Sequence, residues 1–140
     1  MLNRCLHLIL FFCAFAVSPI GEAPARIAYN TFDPQGTVHR GGRHVVLVPL
    51  GHVEECVPGE LDTYEVTVTQ ESTGAVGVGR WEEACARTTT RKLKVRVNAL
   101  PGSPNFAPGP VVATATATRT YKGEVVSTWT WTRLIELSEK

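Results

Sequence analysis

No window of the 140-residue chain shows apolar residues at a three-to-four-residue period with caps at its ends, which argues against an α-helical architecture. Charge of one sign is also missing. Fourteen Lys and Arg face thirteen Asp and Glu, for a net charge of +1, and no basic block or acidic tail stands out. Nucleic acid and anionic membrane surfaces are therefore not favoured partners. There is no P-loop and no dinucleotide fingerprint. The serines beyond the N-terminal region are Ser72, Ser103, Ser127 and Ser138, and none sits in a G-x-S-x-G elbow. With few cysteines and scattered histidines, no zinc-site spacing is present either. These absences point away from an enzyme and from any cofactor.

One feature of the N-terminus is there to be read. Arg4 is followed by "LHLILFFCAFAV" (Leu6–Val17) and then by small residues. Ala23-Pro24-Ala25 fits an A-x-A cleavage signal before Arg26. The expectation is a secretory signal peptide over 1–25 and one mature domain over 26–140. Ser18, Pro19 and Gly21 interrupt the apolar run before the roughly 20 residues a spanning helix needs. No membrane insertion of the mature chain is expected. Cleavage removes Cys5 and Cys13 and leaves Cys56 and Cys85 in an oxidising compartment, where one disulfide is the natural reading.

The mature sequence reads as short strands. Arg26 to Gln35 has no clear period and suggests an N-terminal arm or a short edge strand. Gly41-Gly42 is a hairpin signal that pairs Arg40 with Arg43 and His39 with His44. "VVLVPL" (Val45–Leu50) is an apolar strand whose end Pro49 pushes toward an edge or bulge. In "YEVTVTQ", Tyr64, Val66 and Val68 share one face. "AVGVGRW" is a glycine-rich strand expected to bulge. In "RKLKVRVNA", Leu93, Val95, Val97 and Ala99 point inward and Lys92, Lys94 and Arg96 outward. "PGSPNFAPGP" is a rigid loop with Phe106 as its plug into the core. Six to eight such strands with Gly/Pro turns indicate an all-β sandwich or barrel.

"VVATATATRTYKGEVVSTWTWTRLIEL" (Val111–Leu137) carries alanines on one arm and tryptophans on the other. A two-residue turn at Lys122-Gly123 would pair Tyr121 with Glu124 and set Ala115 against Thr130, leaving the tryptophans on the threonine face. A three-residue loop, Tyr121-Lys122-Gly123, with a bulge at Gly123 places Ala115 against Trp129 and Ala113 against Trp131. The opposite face is then Thr114, Thr116, Thr118 and Thr120 beside Thr128, Thr130 and Thr132.

Candidate sites are few. His39 and His44 offer two imidazoles without a visible third ligand. Glu54, Glu55, Glu82 and Glu83 flank the two cysteines. A Cys56–Cys85 bond would gather them, with His52 near, as a calcium site or a metal-dependent hydrolase centre, unless alternation aims them apart or arginines neutralise them. The threonine face (Thr114, Thr116, Thr118) offers a platform for sugar, ice or a β-rich partner, and also matches ordinary exposed strand chemistry. Trp81 follows the glycine-rich strand and is either a half-exposed contact residue or part of the core.

The order of motifs resembles something known. "C-x-x-G" at Cys56–Gly59 precedes "YEVTVTQ", "TGAVGVGRW…C", an alternating basic strand, "F-x-P-G-P-V-V-A-T-A-T-A-T-R" and "G-E-V-V-S-T-W-T-W". This resembles a group of small secreted proteins of high-GC Gram-positive bacteria, over about Val45 to Leu137. The resemblance implies an immunoglobulin-like antiparallel β-sandwich of about seven strands with one disulfide, and it carries no activity. The expected function is a secreted, non-enzymatic binding or envelope-associated module for an unknown protein or glycan. The alternatives are a small-ligand carrier or a protease-inhibitor-like sandwich.

Overall fold

The computed structural model describes residues 23–86 and 92–140. The expected leader lies outside them except for its last three residues. The described chain is all-β, with a single short 3-10 turn at Arg40–Gly42. Its strands are β1 (Ala25–Phe32), β2 (Gln35–Val38), β3 (His44–Leu47), β4 (Pro49–Glu55), β5 (Glu60–Gln70), β6 (Ala75–Ala84), β7 (Val95–Ala99), β8 (Gly109–Tyr121) and β9 (Glu124–Glu139).

Seven strands close on themselves in the order β2-β3-β7-β6-β5-β8-β9, while β1 and β4 form a separate two-stranded ribbon. The sequence reading left sandwich and barrel open, and the resemblance favoured two open layers. The pairing gives a barrel, closed by two short contacts. β6 meets β7 only at Gly77–Ala99 and Val78–Asn98, and β9 meets β2 in parallel over four residues. Gly77 and Gly79 permit the first closure: a Cβ would lie 2.7 Å from the Asn98 carbonyl at Gly77 and 2.8 Å from the Arg96 carbonyl at Gly79. Close backbone approach, not a bulge, is their role, because β6 runs beside β5 in unbroken register from Ala84 to Ala75.

The N-terminal segment is more than an arm. Strands β1 and β2, then β3 and β4, are the two limbs of one long bent hairpin: Thr37 faces Val46 in the barrel, and Arg26 faces Glu54 in the ribbon. The bend falls at Asp33-Pro34 opposite Val48, where the Asp33 N–H donates to the Val48 carbonyl at 2.8 Å. Pro49, with no N–H to give, therefore opens a strand in a different sheet instead of ending one at an edge. The ribbon lays Tyr29 and Phe32 onto Tyr64, Trp81, Trp129 and Trp131. Tyr64 and Trp81 stack in parallel at 4.7 Å, and Tyr29 and Phe32 meet Trp81 edge-on. Around this aromatic group lie Val45, Leu47, Val66, Val68, Val95, Val97, Phe106, Ile135 and Leu137, all buried. Phe106 is thus the plug expected of its loop, and Val95 and Val97 point inward as the alternation required.

The last hairpin differs from expectation in its register. Lys122 and Gly123 form a two-residue turn, both at positive φ (51° and 78°), and Tyr121 faces Glu124. Val126 is then extra: Thr120 faces Val125 and Arg119 faces Ser127. This bulge inside β9 restores the parity that the sequence argument restored with a longer loop. Ala115 consequently faces Trp131 and Ala117 faces Trp129, two residues from the expected pairing, with small residues still beside large ones on the inner side.

Candidate functional site

Two arrangements stand out. The first is a buried ionic network at the ribbon end of the barrel. On β5 the inward positions Tyr64, Val66 and Val68 continue to Asp62, and on β8 the inward alanines continue to Arg119. Asp62 and Arg119 are direct cross-strand partners. Arg119 Nε donates to Asp62 Oδ1 at 2.8 Å, and its Nη2 to Asp62 Oδ2 at 3.0 Å and Glu54 Oε1 at 2.7 Å. Arg26 reaches into the same cluster from β1, with Glu54 Oε1 at 3.0 Å, Glu60 Oε1 at 2.8 Å and Asp62 Oδ2 at 3.4 Å. Asp62 has no exposed surface and Arg26 is 5% exposed. Charges removed from water to this degree persist only when paired and hydrogen-bonded.

The network sets its own ionisation. Burial opposes the charge on Glu54, but hydrogen bonds from Arg26 and Arg119 outweigh it and lower its carboxyl below the usual range. The Arg26 hydrogen bond, joined by the Val57 N–H, lowers Glu60. Burial raises the Tyr64 phenol, whose oxygen accepts the Tyr29 N–H at 3.1 Å. Arg119 also lies 5.0 Å over the Trp129 ring, and Trp129 Nε1 donates to the Tyr29 carbonyl at 2.9 Å, joining β9 to the ribbon. A small cavity of about 220 Å³ beside the network is bordered by His52, Glu54, Arg119, Ser127 and Trp129.

The glutamates do not gather as a cation site. Glu54 is taken up by the two arginines, with His52 at 3.3 Å on its second oxygen. Glu55 is exposed, Glu82 points outward from β6, and Glu83 is buried beside Asp62. Alternation along β6 separates Glu82 from Glu83, and arginine pairing occupies Glu54. Among the described residues no group of three or more His, Cys, Asp and Glu side chains is placed to hold a metal ion. Cys56 and Cys85 are bonded, with Cα atoms 5.8 Å apart, and the bond points to maturation in an oxidising compartment. Among the described residues no helix is long and apolar enough to cross a membrane.

His39 and His44 are neighbours as expected, their rings stacked at 4.5 Å. Burial, then Arg96 and His39, lower the His44 imidazole. Arg40 and Arg43 do not oppose each other. Arg43 turns to the Ser103 carbonyl at 2.6 Å and Asn105 Oδ1 at 3.0 Å, so the anticipated repulsion becomes an anchor for the proline-rich loop.

The second arrangement is the outer face of β5, β8 and β9. Thr67, Thr114 and Thr132 lie abreast, as do Thr63, Thr118 and Thr128, with Glu65, Thr116 and Thr130 between them. Thr114 and Thr132 hydroxyls are 3.2 Å apart. Thr114 and Thr116 are exposed and Thr118 half-buried. Sheet geometry sets the backbones that carry these hydroxyls roughly 4.8 Å apart across strands and about 6.8 Å apart along them. Glu65, paired with Arg80 at 2.7 Å, is the only charged side chain within these three rows. A depression of about 360 Å³ toward β6 is bordered by Thr63, Glu65, Arg80, Glu82, Thr116 and Thr118. At the far end the face turns apolar at Val112 and Leu134, beside a depression of about 730 Å³. Trp81 also borders the depression toward β6, but it is only 8% exposed and stacked on Tyr64, so the core reading holds over the contact reading.

Sequence reasoning missed Arg26, Glu60, Asp62 and Arg119. A signal existed, since Asp62 and Arg119 each interrupt an inward stripe with a charge of opposite sign. Comparison with protein-family models, curated proteins and solved structures gives no match.

Proposed function

We propose that this protein is a secreted, non-enzymatic binding module of the cell envelope or its surroundings, and that it engages an uncharged, hydroxyl-rich polymer, a glycan, through the threonine face of β5, β8 and β9. The observation that carries the reading is the alignment of eight threonines in cross-strand register on a face that holds one internal charge, itself neutralised by Arg80. A charged polymer would need complementary charge there, whereas a repeating array of hydroxyls and methyl groups suits a repeating neutral chain. Export is part of the proposal, supported by the apolar N-terminal run and the disulfide. So is kinship with the immunoglobulin-like secreted group, supported by the motif order and the all-β fold. The small-ligand carrier is the second reading, and the apolar depression at Val112 and Leu134 favours it.

Co-sedimentation with insoluble chitin, cellulose and β-1,3-glucan tests the glycan reading. Wild-type protein is expected to pellet with at least one of them, and Thr116→Lys/Thr130→Lys at least tenfold less with an unchanged melting temperature. No pelleting, or equal pelleting of the folded double variant, overturns the assignment. Pelleting abolished by protease treatment of the polymer would move the assignment to a protein partner.

A further inference from the structure

We infer that the export leader is removed upstream of Pro24, so that Pro24 and Ala25 remain with the mature domain; this rests on the export reading above. The A-x-A triplet Ala23-Pro24-Ala25 directs a cut before Arg26. The fold argues against that cut. Ala25 exchanges both backbone hydrogen bonds with Ala86, its N–H donating at 2.6 Å and its carbonyl accepting at 3.2 Å, and the Pro24 carbonyl accepts the Cys56 N–H at 3.2 Å. Cys56 and Ala86 lie at the two sides of the disulfide, one being a bonded cysteine and the other following Cys85. Residues 24 and 25 therefore tie the N-terminal strand to both disulfide-linked segments.

A cut before Arg26 would remove all three bonds. It would also create an α-ammonium on a residue that is 5% exposed and already holds its own charge against Glu54, Glu60 and Asp62. Loss of these three backbone pairings beside the disulfide and a new charge in a water-poor position both act against the folded state. A leader ending before Pro24 leaves the strand whole and sets the new terminus outside the ionic network.

The test is to express the full chain 1–140 in a secreting Gram-positive host, recover it from the medium, and determine its intact mass and N-terminal sequence. The expected product begins at Pro24 or earlier, and its Cys56 and Ala86 amides exchange slowly with solvent. A product beginning at Arg26 overturns the inference while leaving export standing. A chain absent from the medium and retained in the cells still beginning at Met1 overturns the inference and the export reading together, so location and mass distinguish the two failures. A product that begins upstream but exchanges these two amides as fast as an unfolded chain also overturns it, because Pro24 and Ala25 would then not be held.

Discussion

Ala115 has no exposed surface and sits between Val66 on β5 and Trp131 on β9. The three carbons that leucine would add at that position have no space to enter without moving an indole. Ala115→Leu is expected to destabilise the protein by about 1–3 kcal/mol through overpacking. Chemical denaturation would check this, and an unmoved midpoint would refute the inward placement of the alanine stripe. Asp62 is the opposite case, a residue whose loss leaves its partners wrong. Asp62→Asn keeps the shape but leaves Arg26 and Arg119 with less opposing charge in a buried setting. Breaking such a pair typically costs about 3–5 kcal/mol, mostly for the charge left behind. The double change Asp62→Asn/Arg119→Leu should therefore cost less than the sum of the two single changes. Additive losses would show that the cluster does not act as a unit.

At the scale of elements, the ribbon of β1 and β4 is held to the barrel by aromatic contacts and by the ionic network, and the second depends on pH. Glu54 and Glu60 have folded-state carboxyls lowered from the ordinary 4.5. Their contribution is fully present above that value and declines as pH falls through the lower folded values, because the unfolded chain takes up protons first. Denaturation midpoints are expected to hold steady from pH 7 to about 5 and to drop between about 4.5 and 3. Arg26→Gln should flatten the drop. A wild-type midpoint equal at pH 3 and pH 6 would refute the coupling. Elements also show where legibility ends. The inward stripes of β5, β7 and β8 follow directly from alternation, since a period of two survives any register. The register itself did not follow. Val126 inserts one residue in β9 where Val125, Val126 and Ser127 give no local mark of a bulge, so turn length and bulge position compensated for each other. The bend at Val48 was hidden for a related reason: Val45 to Leu50 is apolar on both sides of it, and nothing in the residue types tells that the two halves pair in different sheets.

At the scale of the whole molecule, a barrel of this size is closed by very little. The β6–β7 and β2–β9 contacts are short, and the ribbon lies outside the barrel's hydrogen-bonded order. All-β character and the disulfide were readable because strand alternation and cysteine count are local properties. Closure, the buried ionic network and the dispersal of the glutamates were not, because each depends on which distant strands meet. The disulfide spans neither closing contact and instead ties the ribbon to the barrel. It joins the end of β4 to the end of β6, the ribbon to the barrel, across a loop with a sequence separation of 29. In the chain-entropy account a loop of that length stabilises by about 3–4 kcal/mol, a large share of the roughly 5–15 kcal/mol typical of a domain. Cys56→Ala/Cys85→Ala is accordingly expected to lower the unfolding free energy by about that amount. The loss should concentrate in the ribbon, with amides of β1 and β4 losing protection from exchange before those of β5 and β8. Uniform loss across all strands would show that ribbon and barrel unfold as one unit, and an unchanged free energy would show that the aromatic contacts and the ionic network hold them together without the disulfide.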